Sequence, residues 1–261
     1  MTPPLTANAF IPGLYPLIIH VNPPQVGCDN MGVGFTQYNE QFLLKRGDEM
    51  GAAEYIGAKV CDAVGVPACQ PNIVTIEKFG TQQDVFGSRI ESGAHKFDQH
   101  NLLAEWRAVL SNCSNVEAFS AMLAVDLTLG NDDRHWNNWL VQPAQTPQGA
   151  TSYRLRAMDF SRSWPTKHPA QHPLGHQSPH TWRATRDWEL LGVTFNEQVF
   201  FDTCVKIQLL PANWLRNQVL QPLSGVFMSP TMIDVYCQWW EHYLQQQVIE
   251  AIYSLENGVR P

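Results

Sequence analysis

Four polar residues spread between positions 45 and 159 have the types and the order that phosphoryl transfer requires. In the segment LGNDDRHWNNWLV, Asp133 is followed five residues later by Asn138. An aspartate can hold and deprotonate the attacking hydroxyl, and an asparagine can hold a metal ion on the nucleotide phosphates. Asp159, in AMDFSRSW, fits a second Mg²⁺ ligand, and Lys45, at the end of an apolar run, fits a phosphate-binding ammonium. Together the four predict a catalytic site for ATP- and Mg²⁺-dependent phosphoryl transfer.

The polar segment also has a plainer interpretation as a turn after a helix, because Asp and Asn are favoured in turns. The separate acid and lysine make the catalytic interpretation the leading one. The shifted pair Asp132 and Asn137 has the same five-residue spacing and stays open at this stage. Arg134 and His135 are predicted to brace the loop through hydrogen bonds rather than to react.

Two further features support a nucleotide site. Glu54 lies on the helix predicted to follow Lys45 and is expected to pair with that lysine, although a solvated helix glutamate would look the same. The loop Gly27–Gly34 is rich in small and polar residues, and the backbone N–H groups at Gly32 and Gly34 are predicted to contact phosphate. The loop matches neither a Walker A motif nor the full GxGxxG pattern.

Whole-chain composition narrows the functional class. The chain has 261 residues, of which 44% are hydrophobic and 16% charged, and its formal net charge is −7. A negative net charge disfavours nucleic-acid binding through a general basic field. The six cysteines form no CxxC pair, which is typical of reduced cytosolic thiols. No signal peptide is evident and no apolar run approaches the ~20 residues that cross a bilayer, so the sequence predicts a cytoplasmic protein without a membrane partner.

Hydrophobic periodicity predicts an α+β fold in two lobes, a mainly β lobe with one helix over residues 1–90 and a larger, mainly helical lobe over 91–261. The first lobe is expected to contain one helix between an N-cap at Asp48 and a stop at Gly65, and strands at Leu14–Val21, Gln41–Lys45, Ile73–Ile76 and Val85–Ile90. The second is expected to contain two strands, at 139–141 and 153–160, an irregular segment at 162–181, and helices at 102–110, 116–129, 195–210, 212–220 and from Pro230 to Asn257-Gly258.

With these motifs in place, the chain resembles the HipA-like kinases, bacterial relatives of protein kinases and phosphoinositide lipid kinases. The order Asp-Arg-His is the order found in the lipid kinases. The segments NEQFLLK and AEYIGAKVCDAVGVP are similar to the HipA-type stretch from the lysine strand into the first helix. VFGSRIES, at 85–92, resembles the linker that holds adenine, which implies nucleotide contacts at Ser88 and Ile90. The resemblance covers residues 38–165.

This resemblance implies a bilobal kinase fold with ATP and Mg²⁺ between the lobes. It assigns catalysis to Lys45, Asp133 and Asn138, nucleotide contacts to Lys45 and Glu54, and the metal to Asn138 and Asp159. It also implies transfer to a Ser or Thr hydroxyl of a protein, autophosphorylation, and an antitoxin or regulator as partner. The chain is shorter than the full-length toxins of this family. A small-molecule or lipid-headgroup kinase and a non-catalytic nucleotide-binding scaffold remain the alternatives.

Overall fold

The chain folds into a sheet-rich part followed by a helical part, which is the mixed α+β class predicted from the sequence. The structure is a computed structural model that describes residues 15–24, 30–78, 80–96, 103–145, 151–166 and 179–256. The sheet-rich part contains five strands: β1 (Leu17–Asn22), β2 (Asn30–Thr36), β3 (Gln41–Lys45), β4 (Gln70–Lys78) and β5 (Thr81–Ile90). The predicted strands at 41–45, 73–76 and 85–90 are confirmed, the last two as parts of longer strands.

The five strands close into a barrel in the order β1-β2-β3-β5-β4. Neighbouring strands are antiparallel, except that β1 and β4 run parallel. Successive side chains of a strand point to opposite faces of the sheet, so every second residue of each strand points into the barrel. The interior is filled by the buried residues Ile18, Phe42, Leu44, Val74, Ile76 and Val85.

The loop prediction for Gly27–Gly34 was wrong at its carboxyl end, because residues 30–34 belong to β2. A Cβ at Gly34 would lie 2.8 Å from the Ile18 side chain and 2.9 Å from that of Leu44, so glycine permits close packing inside the barrel. Gly32 has a φ of 113° and sits where the register with β3 shifts, as in a β-bulge. Strand geometry therefore accounts for both glycines. Residues 25–29 lie outside the described part.

Helix α1 (Glu49–Val64) connects β3 to β4 and begins and ends at the predicted residues. The Asp48 carboxylate accepts a hydrogen bond from the backbone N–H of Met50, a standard N-cap. Gly65 ends the helix in the left-handed conformation, with φ 81°. Because both signals are local in sequence, the position of α1 relative to Lys45 could be predicted without knowledge of the tertiary structure.

The helical part is built around α3 (Ala118–Leu129), whose twelve residues are all buried. It is surrounded by the other helices, which pack into one large apolar core together with α1. These are α2 (Leu103–Ser111), α4 (Pro179–Leu190), α5 (Glu197–Gln208), α6 (Ala212–Trp214), which continues into a π-helical turn at Leu215–Leu220 and a 3₁₀ turn at Gln221–Leu223, and α7 (Pro230–Glu256). Five of the predicted helices are confirmed, and α4 was missed. The predicted end of α7 at Asn257-Gly258 lies outside the described residues.

A small antiparallel sheet carries the segments of chemical interest. It consists of β6 (His95–Lys96), β7 (Trp139–Gln145) and β8 (Thr151–Ala157). β8 ends before Asp159, so the prediction that Asp159 lies on a strand was wrong; a φ of 65° takes that residue out of the extended conformation. The backbone N–H of Cys69, just before β4, donates to the carbonyl of Ala157 (2.9 Å) and so connects the two parts.

No helix within the described ranges combines the length and the apolar character that crossing a bilayer requires. The predicted irregular segment at 162–181 is described only at its two ends. Residues 179–181 of that segment already belong to α4, where the sequence predicted loop.

Candidate active site

Three charged residues meet at the end of β3: Lys45, Glu54 of the following helix and the distant Asp159. The Lys45 ammonium lies 2.7 Å from Asp159 Oδ1 and 3.2 Å from Glu54 Oε1. Lys45 and Glu54 are almost fully buried, whereas the Asp159 side chain is 28% exposed. The predicted pairing of Lys45 with Glu54 is therefore present, and Asp159 joins it. Of the three side chains, that of Asp159 is the most exposed to solvent.

The shared ammonium shifts the two carboxyl groups in opposite directions. Burial raises the pKa of Glu54 to about 7, even though Lys45 opposes the shift. Burial also acts to raise the pKa of Asp159, but the close Lys45 ammonium and the Ser161 hydroxyl hold it well below its usual range. Burial alone would lower the pKa of Lys45, and the two carboxylates more than offset this, so that pKa is raised. Lys45 is thus a permanent cation, and Asp159 a permanent anion, near neutral pH.

Helix α1 fixes the segment that carries Asp159. The other oxygen of Glu54, Oε2, accepts a hydrogen bond of 2.9 Å from the backbone N–H of Phe160. One turn further along α1, a side chain at Gly57 would overlap the Phe160 ring, so the glycine gives the ring its place against the helix. The Ser161 hydroxyl donates to Asp159 Oδ1 at 2.9 Å. These contacts lock the aspartate in place although it lies outside any strand.

The loop between α3 and β7 is organised around a fully buried arginine. Arg134 forms a two-pronged ion pair with Asp126 of α3, with nitrogen–oxygen distances of 2.8 and 3.0 Å. Its remaining nitrogen donates to the backbone carbonyls of Asn138 (3.0 Å) and Met158. Asn131 also donates to Asp126, at 2.7 Å. The bracing role predicted for Arg134 is confirmed, and the guanidinium ties the loop to the segment just before Asp159.

Asn138 is held beside both predicted catalytic segments. Its side-chain amide donates to the backbone carbonyl of Asp133 at 2.6 Å, and its own backbone carbonyl accepts from the N–H of Met158 at 3.0 Å. Because the amide nitrogen is committed to the loop, the amide oxygen is the atom that remains for a cation. Asn138 is thus tied by hydrogen bonds to the segment of Asp133 and to that of Asp159.

The Asp133 side chain is 31% exposed and has an arginine beside it. The Arg162 Nε lies 3.4 Å from Asp133 Oδ2, and Arg162 is itself 48% exposed. Sequence reasoning did not select Arg162, because nothing in the string DFSRSW distinguishes it from an ordinary surface arginine. The contact brings the segment after Asp159 back to the loop that carries Asp133.

An apolar cluster lies next to the charged groups and is separate from the main core. It combines residues of the barrel with residues of β7 and its surroundings: Leu43, Cys69, Leu140 and Met158, with Val33, Ile90 and Ala94 packed at the edge. Leu43 is on the same face of β3 as Lys45, and Met158 directly precedes Asp159. A flat apolar ring would find apolar contacts here, with phosphate-binding groups alongside. Two surface cavities, of about 510 and 270 Å³, are lined by other residues, so chemistry rather than cavity volume identifies the site.

The remaining predicted nucleotide residues are distributed unevenly. Ile90 belongs to the edge of the apolar cluster, and Ser88 is buried opposite Leu43 with its hydroxyl against the Cys69 thiol. Gly32 faces β1, and its N–H already donates to Asn30 Oδ1 at 2.8 Å; Gly34 faces the barrel interior. The two glycines are therefore not brought to the charged groups.

Sequence reasoning also missed two residues that shape the site. Asp126 lies in the run MLAVDLTL, where a single acid in a predominantly apolar helix was a signal that could have been noticed. Lys96, opposite Leu140 in β6, is exposed and close enough to Asp159 and Lys45 to interact with them electrostatically. It adds a cation at the edge of the site.

The residues present fit a Mg²⁺ ion bound together with phosphates. Asp159 and Asn138 offer a carboxylate and an amide oxygen, which are hard ligands, and Asp159 is accessible to solvent. Over the described ranges, no cluster of three or more His, Cys, Asp or Glu side chains is arranged to hold a metal ion by itself. Two protein oxygens with the remaining positions left to phosphate and water match the way in which Mg²⁺ is usually bound.

Comparison with known proteins identifies the fold. The structure is similar to that of the proinflammatory kinase CtkA of Helicobacter pylori, with a TM-score of 0.52 and 14% identity over 93% of this chain and 97% of CtkA. HipA in the toxin–antitoxin complex of Shewanella oneidensis MR-1 matches with a TM-score of 0.46 and 9% identity over 96% of this chain and 75% of HipA. No protein-family model and no curated protein sequence matches. The similarity to CtkA shows a kinase-like fold, as the sequence resemblance predicted.

Proposed function

We propose that the chain is an ATP- and Mg²⁺-dependent kinase that transfers the γ-phosphate to a Ser or Thr hydroxyl of a protein, including its own. One observation carries the proposal. The Lys45 ammonium contacts the Asp159 carboxylate at 2.7 Å, and Asn138 is hydrogen-bonded to the residue that precedes Asp159. Lys45 and Asp159, which are 114 residues apart in the chain, are thus in contact, and a backbone hydrogen bond ties Asn138 to the same segment. These contacts support a site in which Lys45 binds phosphate and Asp159 and Asn138 hold the metal.

Each residue of the site has a distinct role in this proposal. The Lys45 ammonium binds the nucleotide phosphates and is oriented by Glu54, while Asp159 and Asn138 hold Mg²⁺. When bound, the metal supplies positive charge that neutralises the phosphate oxygens. Asp133 orients the acceptor hydroxyl and takes its proton. Arg134 holds the backbone of Asn138, and α1 holds the residue after Asp159 through Glu54. The two proposed metal ligands therefore have the fixed positions that such a reaction needs.

The apolar cluster is the proposed adenine site. Adenine would lie between the barrel side, at Val33 and Leu43, and the β7 side, at Leu140 and Met158, with Ser88 and Ile90 along the connecting strand. In this arrangement residues 1–90 form one lobe and residues 91–261 the other, because β5 ends at Ile90. The nucleotide then bridges the two lobes.

The first test uses Asp133→Ala, with the neighbouring Asp132→Ala as matched control. Loss of the proton-accepting group should slow phosphoryl transfer by about 10²–10⁴-fold, the usual contribution of a general base. ATP affinity should change little, because Asp133 touches the acceptor and not the nucleotide. Transfer is followed with γ-labelled ATP and Mg²⁺, offering the chain itself, Ser/Thr peptides, metabolites and lipid headgroups. Affinity is measured with a fluorescent ATP analogue.

Asp132→Ala should transfer phosphate at the wild-type rate, because Asp133, and not Asp132, is the proposed proton acceptor. Transfer to metabolites or headgroups alone would replace the protein acceptor by a small one. Normal nucleotide binding with no transfer to any acceptor would show a nucleotide-binding scaffold and refute the kinase proposal.

A further inference from the structure

Arg162 is a cation beside the proton-accepting aspartate for which the kinase roles above give no task. Its Nε lies 3.4 Å from Asp133 Oδ2, and both side chains are partly exposed. The other described cations near the site are differently placed. Lys45 is shared by two carboxylates, and Arg134 is fully buried against Asp126. Lys96 is exposed on β6, on the side of Asp159 and Lys45. Arg162 is therefore the guanidinium that combines contact with Asp133 and exposure to a ligand.

The backbone on both sides of Arg162 is held, although its side chain is half exposed. The Ser161 hydroxyl donates to Asp159 Oδ1 at 2.9 Å, and the fully buried Ser163 hydroxyl donates to the Phe160 carbonyl at 2.7 Å. The Thr166 hydroxyl donates to the Ser161 carbonyl, also at 2.7 Å. The Arg162 side chain thus extends from a held backbone segment three residues after Asp159, and its guanidinium contacts Asp133. In the proposed kinase, Asp159 acts on the nucleotide side of the transfer and Asp133 on the acceptor side.

We propose that Arg162 is a catalytic residue that pairs with the phosphoryl group during transfer and leaves its partner Asp133 to do so. The proposal rests on the kinase function proposed above and adds one residue to it. Guanidinium is suited to this role because its planar fork can donate two parallel hydrogen bonds to phosphoryl oxygens and stays protonated throughout.

The charge balance of the step explains why Arg162 would change partners. The acceptor oxygen forms a bond to the γ-phosphorus as the bond from that phosphorus to the bridging oxygen breaks, and ADP leaves with the electron pair. The hydroxyl proton passes to Asp133, which becomes neutral. Asp133 then attracts Arg162 less, while negative charge on the phosphoryl oxygens remains to be balanced. Arg162 exchanges one anion for another without gaining or losing a proton.

The test uses Arg162→Ala and Arg162→Gln, with Arg216→Ala as matched control. Arg216 has a similar exposed fraction, 42%, and pairs with Asp234 on the protein surface. Both Arg162 variants should lower kcat by about 10²–10³-fold, the size expected for one charge-stabilising donor, with the KM for ATP within about threefold of wild type. Added guanidinium ion should restore part of the rate to Arg162→Ala, and Arg162→Lys should retain part of it.

A binding measurement separates this role from a structural one. Wild type should bind Mg²⁺–ADP more tightly when aluminium fluoride, a phosphoryl mimic, is present, and Arg162→Ala should lose that gain while binding Mg²⁺–ADP normally. An Arg162→Ala variant that is as fast as wild type, or faster because the contact merely blocks Asp133, overturns the role of Arg162. So does an undiminished fluoride effect. A wild-type chain with neither transfer nor a fluoride effect overturns the kinase proposal itself.

Discussion

At the scale of single residues, the site depends on two carboxyl groups that share one ammonium. Asp159 is nearer to Lys45 than Glu54 is, 2.7 against 3.2 Å, and it also accepts from the Ser161 hydroxyl. Glu54 is the more deeply buried of the two. Asp159 therefore keeps the negative charge that a metal ligand needs, and Glu54 is the group whose protonation changes near neutral pH.

The raised pKa of Glu54 predicts a pH-dependent stability. The ordinary value is 4.5 and the folded value about 7, so the folded state binds more protons over this interval. This contribution to stability is fully present below pH 4.5 and is lost as pH rises through about 7. Between about pH 5 and pH 8, the free energy of unfolding of wild type should fall by about 2 kcal/mol relative to Glu54→Gln, which has no proton to release. Urea unfolding at each pH measures the difference.

Glu49→Gln is the matched control for this experiment, because Glu49 is exposed on the first turn of the same helix. Its unfolding free energy should follow the pH dependence of wild type. Equal pH dependence in wild type and Glu54→Gln would show that Glu54 does not titrate in this range.

At the scale of elements, α1 determines where the segment after β8 lies. Glu54 binds the Phe160 N–H, and Gly57 accommodates the Phe160 ring, so two residues one turn apart hold the neighbour of Asp159. A displacement of α1 would therefore move Asp159 and, at the same time, break its ion pair with Lys45. Helix α1 thus determines both where Asp159 lies and whether its ion pair with Lys45 forms.

Gly57→Ala should destabilise the protein, opposite to its effect on an isolated helix. Alanine is favoured over glycine in a helix interior by about 1 kcal/mol. Here the new methyl group would overlap the Phe160 ring, and overpacking of this kind costs about 1–3 kcal/mol. The displaced ring should also lower the rate of phosphoryl transfer. Thermal unfolding and the labelled-ATP assay measure the two effects.

Phe160→Leu supplies the control, because a smaller side chain leaves room for the methyl group. The double variant should be more stable than the sum of the two single effects predicts, which a double-mutant cycle reports directly. A Gly57→Ala protein that is as stable and as active as wild type would contradict the proposed contact.

Elements defined by local signals could be predicted from the sequence, and elements defined by tertiary contacts could not. Asp48 and Gly65 bracket α1 in any context, and the order of Lys45, Asp133 and Asp159 suggested the chemistry. Gly32 and Gly34 of β2 were interpreted as loop residues from the sequence. Glycine is needed there because of a bulge and of close packing against neighbouring strands, which the sequence does not show. The strand predicted through Asp159 ends early because Glu54 and Lys45 hold that segment from another element.

At the scale of the whole molecule, the site joins parts that are far apart in sequence. The buried pair of Arg134 and Asp126 connects the core helix α3 to the loop that carries Asp133 and Asn138. Removing one partner of such a pair would leave an uncompensated buried charge, so the loop geometry is tied to the integrity of the helical core. This dependence is not visible in the motif, which shows only that an arginine follows an aspartate.

The proposed position of the nucleotide predicts that its binding stabilises both parts of the molecule together. All nine tryptophans lie beyond residue 100, so their fluorescence reports on the helical part, whereas labelling of the buried thiol of Cys61 reports on α1. At about a hundred times its Kd, a non-hydrolysable ATP analogue with Mg²⁺ should raise the free energy of unfolding by about 2.7 kcal/mol in both signals. Omission of Mg²⁺, or Asp159→Ala, should remove most of the gain, while Asp202→Ala, on the exposed face of α5, should keep it. An increase in the free energy of unfolding in only one of the two signals would mean that the nucleotide does not bridge the two parts. An increase that does not depend on Mg²⁺ would exclude Asp159 as a ligand of the metal.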